Sequence, residues 1–229
     1  MKKVLYLLLA CVLFSSCSSG KRLTRSEQYA KMYEETPVTL LIMPPINNTA
    51  NVEAKDLLFT SINAPLAEAG YYVISPIMSM ELMRQESAYD AELFYDNDVS
   101  IFKKVFGADA VVFSQIDTWR KVGIGIQTKV RYVIKSTQSN EVLFDRSCDL
   151  FLDLTPDKSS SKKSEQTIVD LLFDIAEAAI NTATTESIVA ARKCNYYILS
   201  DLPRGKYSPD YLKDKDVEAA PKDVQTTVR

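Results

Sequence analysis

The order of apolar and polar positions along the chain predicts alternating strands and helices. Two short apolar runs, 38–43 and 71–75, predict buried strands, the first closed by two prolines. Between them, apolar residues recur at three-to-four spacing from 54 to 69, which predicts a helix that Asn51 caps and that Pro65 kinks or restarts. This strand, helix, strand order is typical of a parallel crossover unit.

A long antiparallel hairpin is predicted farther along. Residues 110–116 form another apolar run and predict a third buried strand. Apolar and polar residues alternate from 122 to 135, and 142–152 has the same phase, which predicts two strands joined by a turn near Ser139–Asn140.

Helices are predicted over 77–85, 99–106 and 164–192. The last carries a wide apolar stripe rich in small residues, consisting of Ile168, Val169, Leu172, Phe173, Ala176, Ala179, Ile180 and Ala183. We expect it to cover one face of the sheet. The predicted fold class is therefore a single α/β domain with a mixed sheet, a parallel strand-helix-strand start, a long antiparallel hairpin and a long C-terminal covering helix.

The first twenty residues have the layout of an export signal. Lys2 and Lys3 precede eleven apolar residues, 4–14, and small polar residues follow. A membrane-spanning helix needs about 20 apolar residues, so this run is too short to be a stable anchor. A buried amino-terminal helix is the alternative, but it does not explain why two lysines precede the apolar run or why the run ends abruptly in small polar residues.

The segment Leu13-Phe14-Ser15-Ser16-Cys17 resembles the lipobox of bacterial lipoproteins, in which small residues precede a cysteine that is diacylated. A second such pattern ends at Cys11, but cleavage there would leave a shorter apolar run. We expect lipid on Cys17, since two or three acyl chains hold a protein stably on a membrane. Ser18, where lipoproteins of the inner membrane commonly carry aspartate, indicates the outer membrane, and the basic residues after it indicate the periplasmic side.

These patterns divide the chain into four parts. Residues 1–16 are a lipoprotein signal peptide, and 17–36 form a lipidated polar tether with some helix. Residues 37–212 form the α/β periplasmic domain, and 213–229, with many charges and a proline, are expected to be a disordered polar tail.

Composition removes several classes of function. The net charge of -3 gives no footprint for nucleic acid. Histidine is absent, which excludes Ser-His-Asp and Cys-His nucleophile pairs and histidine-ligated zinc. Gly123-Ile124-Gly125 lacks the third glycine of a dinucleotide loop, and Ser159–Lys162 fits serine-x-x-lysine without that motif's companions. We expect no enzyme activity, no metal and no cofactor.

One loop and one cysteine pair are the remaining candidate sites. Asn47, Asn48, Thr49 and Asn51 follow a buried strand, at the end where open α/β sheets bind ligands, although architecture also explains them.

Cys148 and Cys194 are the only cysteines left to pair once Cys11 is cleaved off and Cys17 is acylated. They could form a disulfide. Alternatively, Cys148 could be a small buried apolar residue, and a helix could hold Cys194 away from it.

Several segments resemble a family of bacterial lipoproteins of unknown function that includes a meningococcal lipoprotein antigen. The segments are 41–47, 63–73, 106–111 and 202–211. In the last, Ser208 stands where the family has histidine, so a role of that histidine does not carry over. The resemblance implies a fold like the N-terminal domain of TolB and the periplasmic part of curli-secretion-type lipoproteins.

Two functions follow as expectations. The first is an outer-membrane lipoprotein that faces the periplasm and acts as a non-catalytic interaction module in an envelope assembly or secretion-linked complex. Its partners would be the membrane, through its lipid, and envelope proteins, and a homo-oligomer is left open. The alternative is a periplasmic protein that binds a small ligand or glycan, or a hydrolase that uses carboxylates alone.

Overall fold

The structure is a computed structural model that describes residues 22–85, 90–155 and 183–229. Its elements in chain order are α1 (Arg25–Gln28), α2 (Ala30–Glu35), β1 (Thr39–Ile42), β2 (Ile46–Asn47), α3 (Glu53–Ser61), α4 (Asn63–Glu68), β3 (Tyr72–Val73), α5 (Pro76–Gln85), α6 (Glu92–Tyr95), α7 (Ile101–Phe106), β4 (Ala110–Val122), β5 (Gly125–Ser136), β6 (Val142–Asp153), α8 (Ala183–Leu199) and β7 (Asp223–Val228). The predicted α/β class is confirmed.

The described residues form one mixed sheet of seven strands. Six of them follow the order β3-β1-β4-β5-β6-β7, and β2 pairs with β4 farther along that strand than β1 does. Strand β1 runs parallel to both β3 and β4, which confirms the predicted crossover unit. Because β1 has a neighbour on each side and helices on both faces, its residues Leu40, Leu41 and Ile42 are buried without alternation.

The hairpin region contains two turns rather than one. The predicted turn after β5 is confirmed, with Asn140 in the left-handed region at φ 61°. Strand β4 continues to Val122, past the predicted end, and pairs with β5 through a tight turn at Gly123 and Ile124. Gly123 has φ 59°, which a glycine adopts without strain, so the strand predicted to start at residue 122 starts at Gly125.

Two hydrophobic clusters lie on opposite faces of the sheet. The larger contains residues of α3, α4 and α8 packed on β1, β4, β5 and β6, together with Tyr29 and Met32. The smaller lies under α5, α6 and α7. Helix α8 runs to Leu199, beyond the predicted end at residue 192, and the predicted helical stretch 164–182 lies outside the described residues. None of the helices in the described ranges is long and apolar enough to cross a membrane.

The amino-terminal prediction needs correction from residue 22 onward. Residues 22–36, expected to be a tether, form α1 and α2, and Tyr29 and Met32 pack into the larger core cluster. Thr24 and Glu27 form a capping box that starts α1. The signal peptide, Cys11 and Cys17 lie outside the described residues.

The carboxyl-terminal prediction is also corrected. Residues 213–229, expected to be disordered, include β7, which pairs parallel to β6 from Asp223↔Ser147 to Val228↔Leu152. Val224 and Val228 alternate with polar residues and pack against the larger core cluster. An amphipathic edge strand needs only one apolar face, so its high polarity resembles that of a disordered tail.

Candidate functional site

The predicted binding loop is closed by its own hydrogen bonds. The Asn47 amide nitrogen donates to the Asn51 carbonyl at 2.7 Å, and the Thr49 hydroxyl donates to Asn47 Oδ1 at 2.8 Å. Asn51 Oδ1 accepts from the Ala54 amide at 3.1 Å and so caps α3 as predicted. Asn48 donates to the Asp117 carboxylate. The structure brings the four residues together and supports the architectural alternative, while ligand binding here stays a prediction.

Cys148 and Cys194 lie in the larger core cluster, on β6 and α8, and both are free thiols. Burial raises the pKa of Cys148 to about 11, and burial together with the nearby Cys148 raises the pKa of Cys194 as well. A protonated, buried thiol is a poor nucleophile. Both residues pack among the apolar side chains of the core, and the disulfide between them stays a prediction.

Two of the family-like segments meet at one corner of the domain. The Tyr71 hydroxyl donates to the carbonyl of Pro203 at 2.7 Å. A Cβ placed on Gly205 would lie 2.4 Å from the carbonyl oxygen of Gly70, and one placed on Gly70 would lie 2.4 Å from the amide nitrogen of Ser208. Only glycine permits this approach at both positions, so Gly70 and Gly205 lock segment 202–211 onto the start of β3.

A third family-like segment supplies Asp109, which ties two strands together. Its Oδ2 accepts from the amides of Val38 and Thr39 at 3.0 and 2.9 Å, at the start of β1. Burial opposes ionisation of this carboxyl, but the Lys103 ammonium and the two amides outweigh it and hold the pKa of Asp109 below its ordinary value. Asp109 is therefore an ionised structural clamp.

A charged cluster joins α1 to the last thirty residues of the chain. The Arg25 guanidinium contacts the carboxylates of Asp201 and Asp214 at 3.3 and 3.0 Å. Tyr29 donates its hydroxyl to Asp201 at 2.6 Å, and the Ala220 amide donates to the same carboxylate. Both aspartates are buried, with exposures of 3% and 6%. A buried carboxylate needs such partners, so the cluster holds the segment from Arg25 to Tyr29 against residues 201–220.

The sequence does not predict this cluster, because residues 17–36 are interpreted from their polarity as a tether with some helix. The available signal was Thr24 with Glu27 three residues later, a capping-box pattern that marks a helix start. Tyr29 and Met32, three residues apart, gave the apolar face of the helical pair.

Comparison with known proteins identifies the family. A family model described as "Putative lipoprotein GNA1162-like" matches residues 27–201, most of the chain. The chain belongs to the GNA1162-like lipoprotein family. The resemblance seen in the sequence is thereby confirmed, together with its assignment to the lipoproteins.

Three individual proteins are similar to parts of the chain. "Putative lipoprotein NMB1124/NMB1162" of Neisseria meningitidis serogroup B is 29% identical over 113 residues, covering 49% of this chain and 52% of that protein. The chain thus spans about half the length of this curated relative. The crystal structure of lipoprotein GNA1162 from N. meningitidis is similar at TM-score 0.46 and 20% identity, over 64% of this chain and 99% of that one. The LpoB C-terminal domain from Escherichia coli is similar at TM-score 0.33 and 17% identity, over 54% and 93%.

Two surface grooves complete the description of this GNA1162-like protein. One, of about 310 Å³, lies at the β4–β5 turn beside the Lys121–Glu186 ion pair. The other, of about 360 Å³, lies between α1 and the start of β6 and contains two carboxylates, Glu27 and Asp145.

These carboxylates do not have the environment of a glycosidase pair. Such a pair needs one carboxyl whose pKa is raised, so that it can act as the acid. Burial opposes ionisation of Asp145, but hydrogen bonds from Arg131 and Lys222 outweigh it and hold the pKa of Asp145 below its ordinary value. Glu27 accepts from the Thr24 amide at 2.7 Å, at the cap of α1. Within the described ranges, no group of three or more Cys, Asp or Glu side chains could hold a metal ion. The expected lack of enzyme activity stays a prediction.

Proposed function

We propose that the protein is an outer-membrane lipoprotein, anchored by acyl chains on Cys17, that faces the periplasm and acts as a non-catalytic interaction module in an envelope assembly or secretion-linked complex. The observation that carries the proposal is the lipobox-like segment ending at Cys17 in a chain that belongs to a lipoprotein family. Two or three acyl chains hold a domain stably at a membrane, so its partners should be located there as well.

The polar groups of the described residues support interaction rather than catalysis. Asn51 caps a helix, Asp109 clamps the start of β1, and Arg25 neutralises two buried aspartates. Each has a structural partner already, whereas a catalytic group must be available to a substrate. These three groups are therefore occupied structurally, which supports an interaction role for the domain over catalysis by them.

Lipidation is tested with two matched cysteine variants. Cys17→Ala should leave unprocessed precursor and abolish labelling by a palmitate analogue in cells. Cys11→Ala should be processed and labelled normally, because its residue lies in the part of the signal that is removed. Labelling that persists in Cys17→Ala and disappears in Cys11→Ala would move the lipid to Cys11.

Membrane sorting is tested at Ser18. The wild type should fractionate with outer-membrane markers, and Ser18→Asp should move to the inner-membrane fraction if the residue after the lipidated cysteine sorts the protein. Ser18→Asn, uncharged and nearly the same size as Asp, is the control. Wild-type protein found in the inner membrane would contradict the placement.

Partner binding is tested by crosslinking in intact cells followed by purification under denaturing conditions. The proposal expects the same envelope proteins in repeated preparations of the wild type, and their loss in Cys17→Ala, which cannot reach its membrane. Recovery of this chain alone would refute an assembly role.

A further inference from the structure

The described part of the domain begins a few residues after the proposed lipidation site. Leu23 already exchanges a backbone hydrogen bond with Ala219, and α1 starts at Arg25. Arg22 comes five residues after Cys17, and a fully extended chain spans at most about 18 Å over five residues. At most about 18 Å of chain therefore separates the proposed acyl chains from Arg22.

We propose that the surface formed by Leu23, Val142 and Val217, called here the amino-end patch, lies against the lipid bilayer. This inference rests on the proposed acylation of Cys17, because the short tether is what brings the patch to the membrane. The partner is the lipid surface itself rather than another protein.

Leu23 lies beside both of the other patch residues. Val217 accepts from the Arg25 amide at 2.8 Å through its carbonyl, and the Leu23 carbonyl accepts from Ala219 at 2.9 Å, so two chain segments run side by side. Leu23 and Val142 line the same groove of about 360 Å³. The three side chains are 46% to 51% exposed. Apolar side chains exposed where an acylated chain leaves a domain can insert among lipid headgroups.

The charges around the amino-end patch determine whether its contact with the bilayer depends on anionic lipids. Three of its basic neighbours are paired at the surface, Arg22 with Glu218 at 2.7 Å, Lys222 with Asp145 at 2.6 Å, and Lys31 with Glu141 at 3.1 Å. A fourth, Lys215, lies over the Tyr33 ring and is followed in sequence by the acidic Asp216. Paired charges give little net attraction to anionic lipid. The contact therefore depends on the apolar side chains and the tether, and it should not depend on the anionic lipid content of the membrane.

A fluorescent probe on the full acylated chain tests the orientation. Val217→Cys is labelled with a nitrobenzoxadiazole dye, and the protein is placed in phosphatidylethanolamine vesicles that contain spin-labelled lipid as a quencher. Cys148 and Cys194 are buried and should not react with the dye under native conditions. Ile124→Cys is the matched control, exposed and apolar in the wild type at 61%.

The control residue lies at the other end of the sheet. Along β5 the pairing runs from Lys135, opposite Val142, to Ile126, opposite Leu152, which is nine residues. At about 3.4 Å per residue this separation is about 31 Å. A dye at position 217 should lose most of its fluorescence to the lipid quencher, and a dye at 124 should lose little. Val142→Cys should behave like Val217→Cys, with or without phosphatidylglycerol in the vesicles.

The outcomes separate the orientation from the lipidation. Equal quenching at 217 and 124 in a protein that carries palmitate would overturn the membrane-facing patch and leave the proposed function standing. Shielding of 217 from both the lipid quencher and aqueous iodide would overturn it in favour of a protein or a second copy on the patch. A protein without palmitate would overturn both proposals.

Discussion

Gly70 and Gly205 meet backbone to backbone, so closely that a Cβ on Gly205 would lie 2.4 Å from the Gly70 carbonyl oxygen. Gly205→Ala must therefore push the two segments apart, and overpacking of this kind costs about 2 to 3 kcal/mol. Urea unfolding of the purified protein measures the loss. Gly107→Ala is the control, since its Cβ would meet nothing within 4 Å and only its positive φ opposes alanine. That substitution should cost about 1 kcal/mol, and equal losses for the two variants would contradict the close contact.

The two neighbouring tyrosines of this corner should respond differently to loss of their hydroxyl. Tyr71→Phe removes the donor to the buried Pro203 carbonyl and should lower the free energy of unfolding by about 1 to 2 kcal/mol. Tyr72→Phe, at a side chain that is 58% exposed, should leave it unchanged. Chemical denaturation of both variants measures the difference. If Tyr71→Phe leaves the free energy of unfolding unchanged, the hydrogen bond to Pro203 contributes nothing to stability.

Arg25 should be worth far more than its neighbour Arg22. Arg25→Met leaves Asp201 and Asp214 buried without their cation, which costs about 3 to 5 kcal/mol. Arg22→Met breaks only an ion pair whose side chains are 68% and 58% exposed, and such pairs contribute about 0 to 1 kcal/mol. Thermal unfolding followed by circular dichroism compares the two. Similar melting temperatures for the two variants would show that Arg25 is not what stabilises the two buried aspartates.

Asp109 should make stability depend on pH. Its folded pKa is lowered, so its contribution is complete above the unfolded value near 4 and is lost as the pH falls through the folded value. Asp109→Asn should therefore cost about 2 kcal/mol at pH 7, since hydrogen bonds to a charged group are lost, and the difference from wild type should shrink below about pH 4. Urea unfolding of the wild type and of Asp109→Asn, at pH 7 and below about pH 4, tests this. If the difference in the free energy of unfolding is the same at both pH values, ionisation of Asp109 is not its source.

Mass spectrometry distinguishes the free thiols from a disulfide. Without reduction, an alkylating reagent should modify neither Cys148 nor Cys194 in the folded protein, because both are buried and burial raises the pKa of each thiol. In denaturant it should modify both. Protection that persists in denaturant until a reductant is added would instead establish a disulfide.

Periodicity predicted the elements whose burial is regular. The apolar run of β1 and the alternation in β5 and β6 each follow from the faces they bury. The β4–β5 turn is not predicted, because Gly123 and Ile124 form a two-residue turn. Such a turn keeps the alternating apolar positions Val122 and Ile126 in phase on its two sides. Only a backbone angle, φ 59° at Gly123, marks the reversal.

Elements held by distant partners could not be predicted in the same way. Helices α1 and α2 have four and six residues, too few to be stable alone, and α1 is fixed by Asp201 and Asp214. Strand β7 is ordered by pairing with β6, about 75 residues earlier. Among the candidate residues, the hydrogen-bond partners of Asn47, Asn48 and Asn51 are visible only in the structure, because they include backbone groups and a side chain of β4.

The pairing of Arg25 with Asp201 and Asp214 sets an order in which the contacts of the domain can form. If the chain is exported amino end first, as proposed, Arg25 reaches the periplasm long before Asp201 and Asp214, which lie 176 and 189 residues later, so the first helix has no charge partners until those two residues arrive. Contacts of such large sequence separation form slowly, since the loop they close must be ordered first. A chain released early, without residues 201–229, would have the hairpin but would leave its first helix and the open edge of β6 exposed to other unfinished chains.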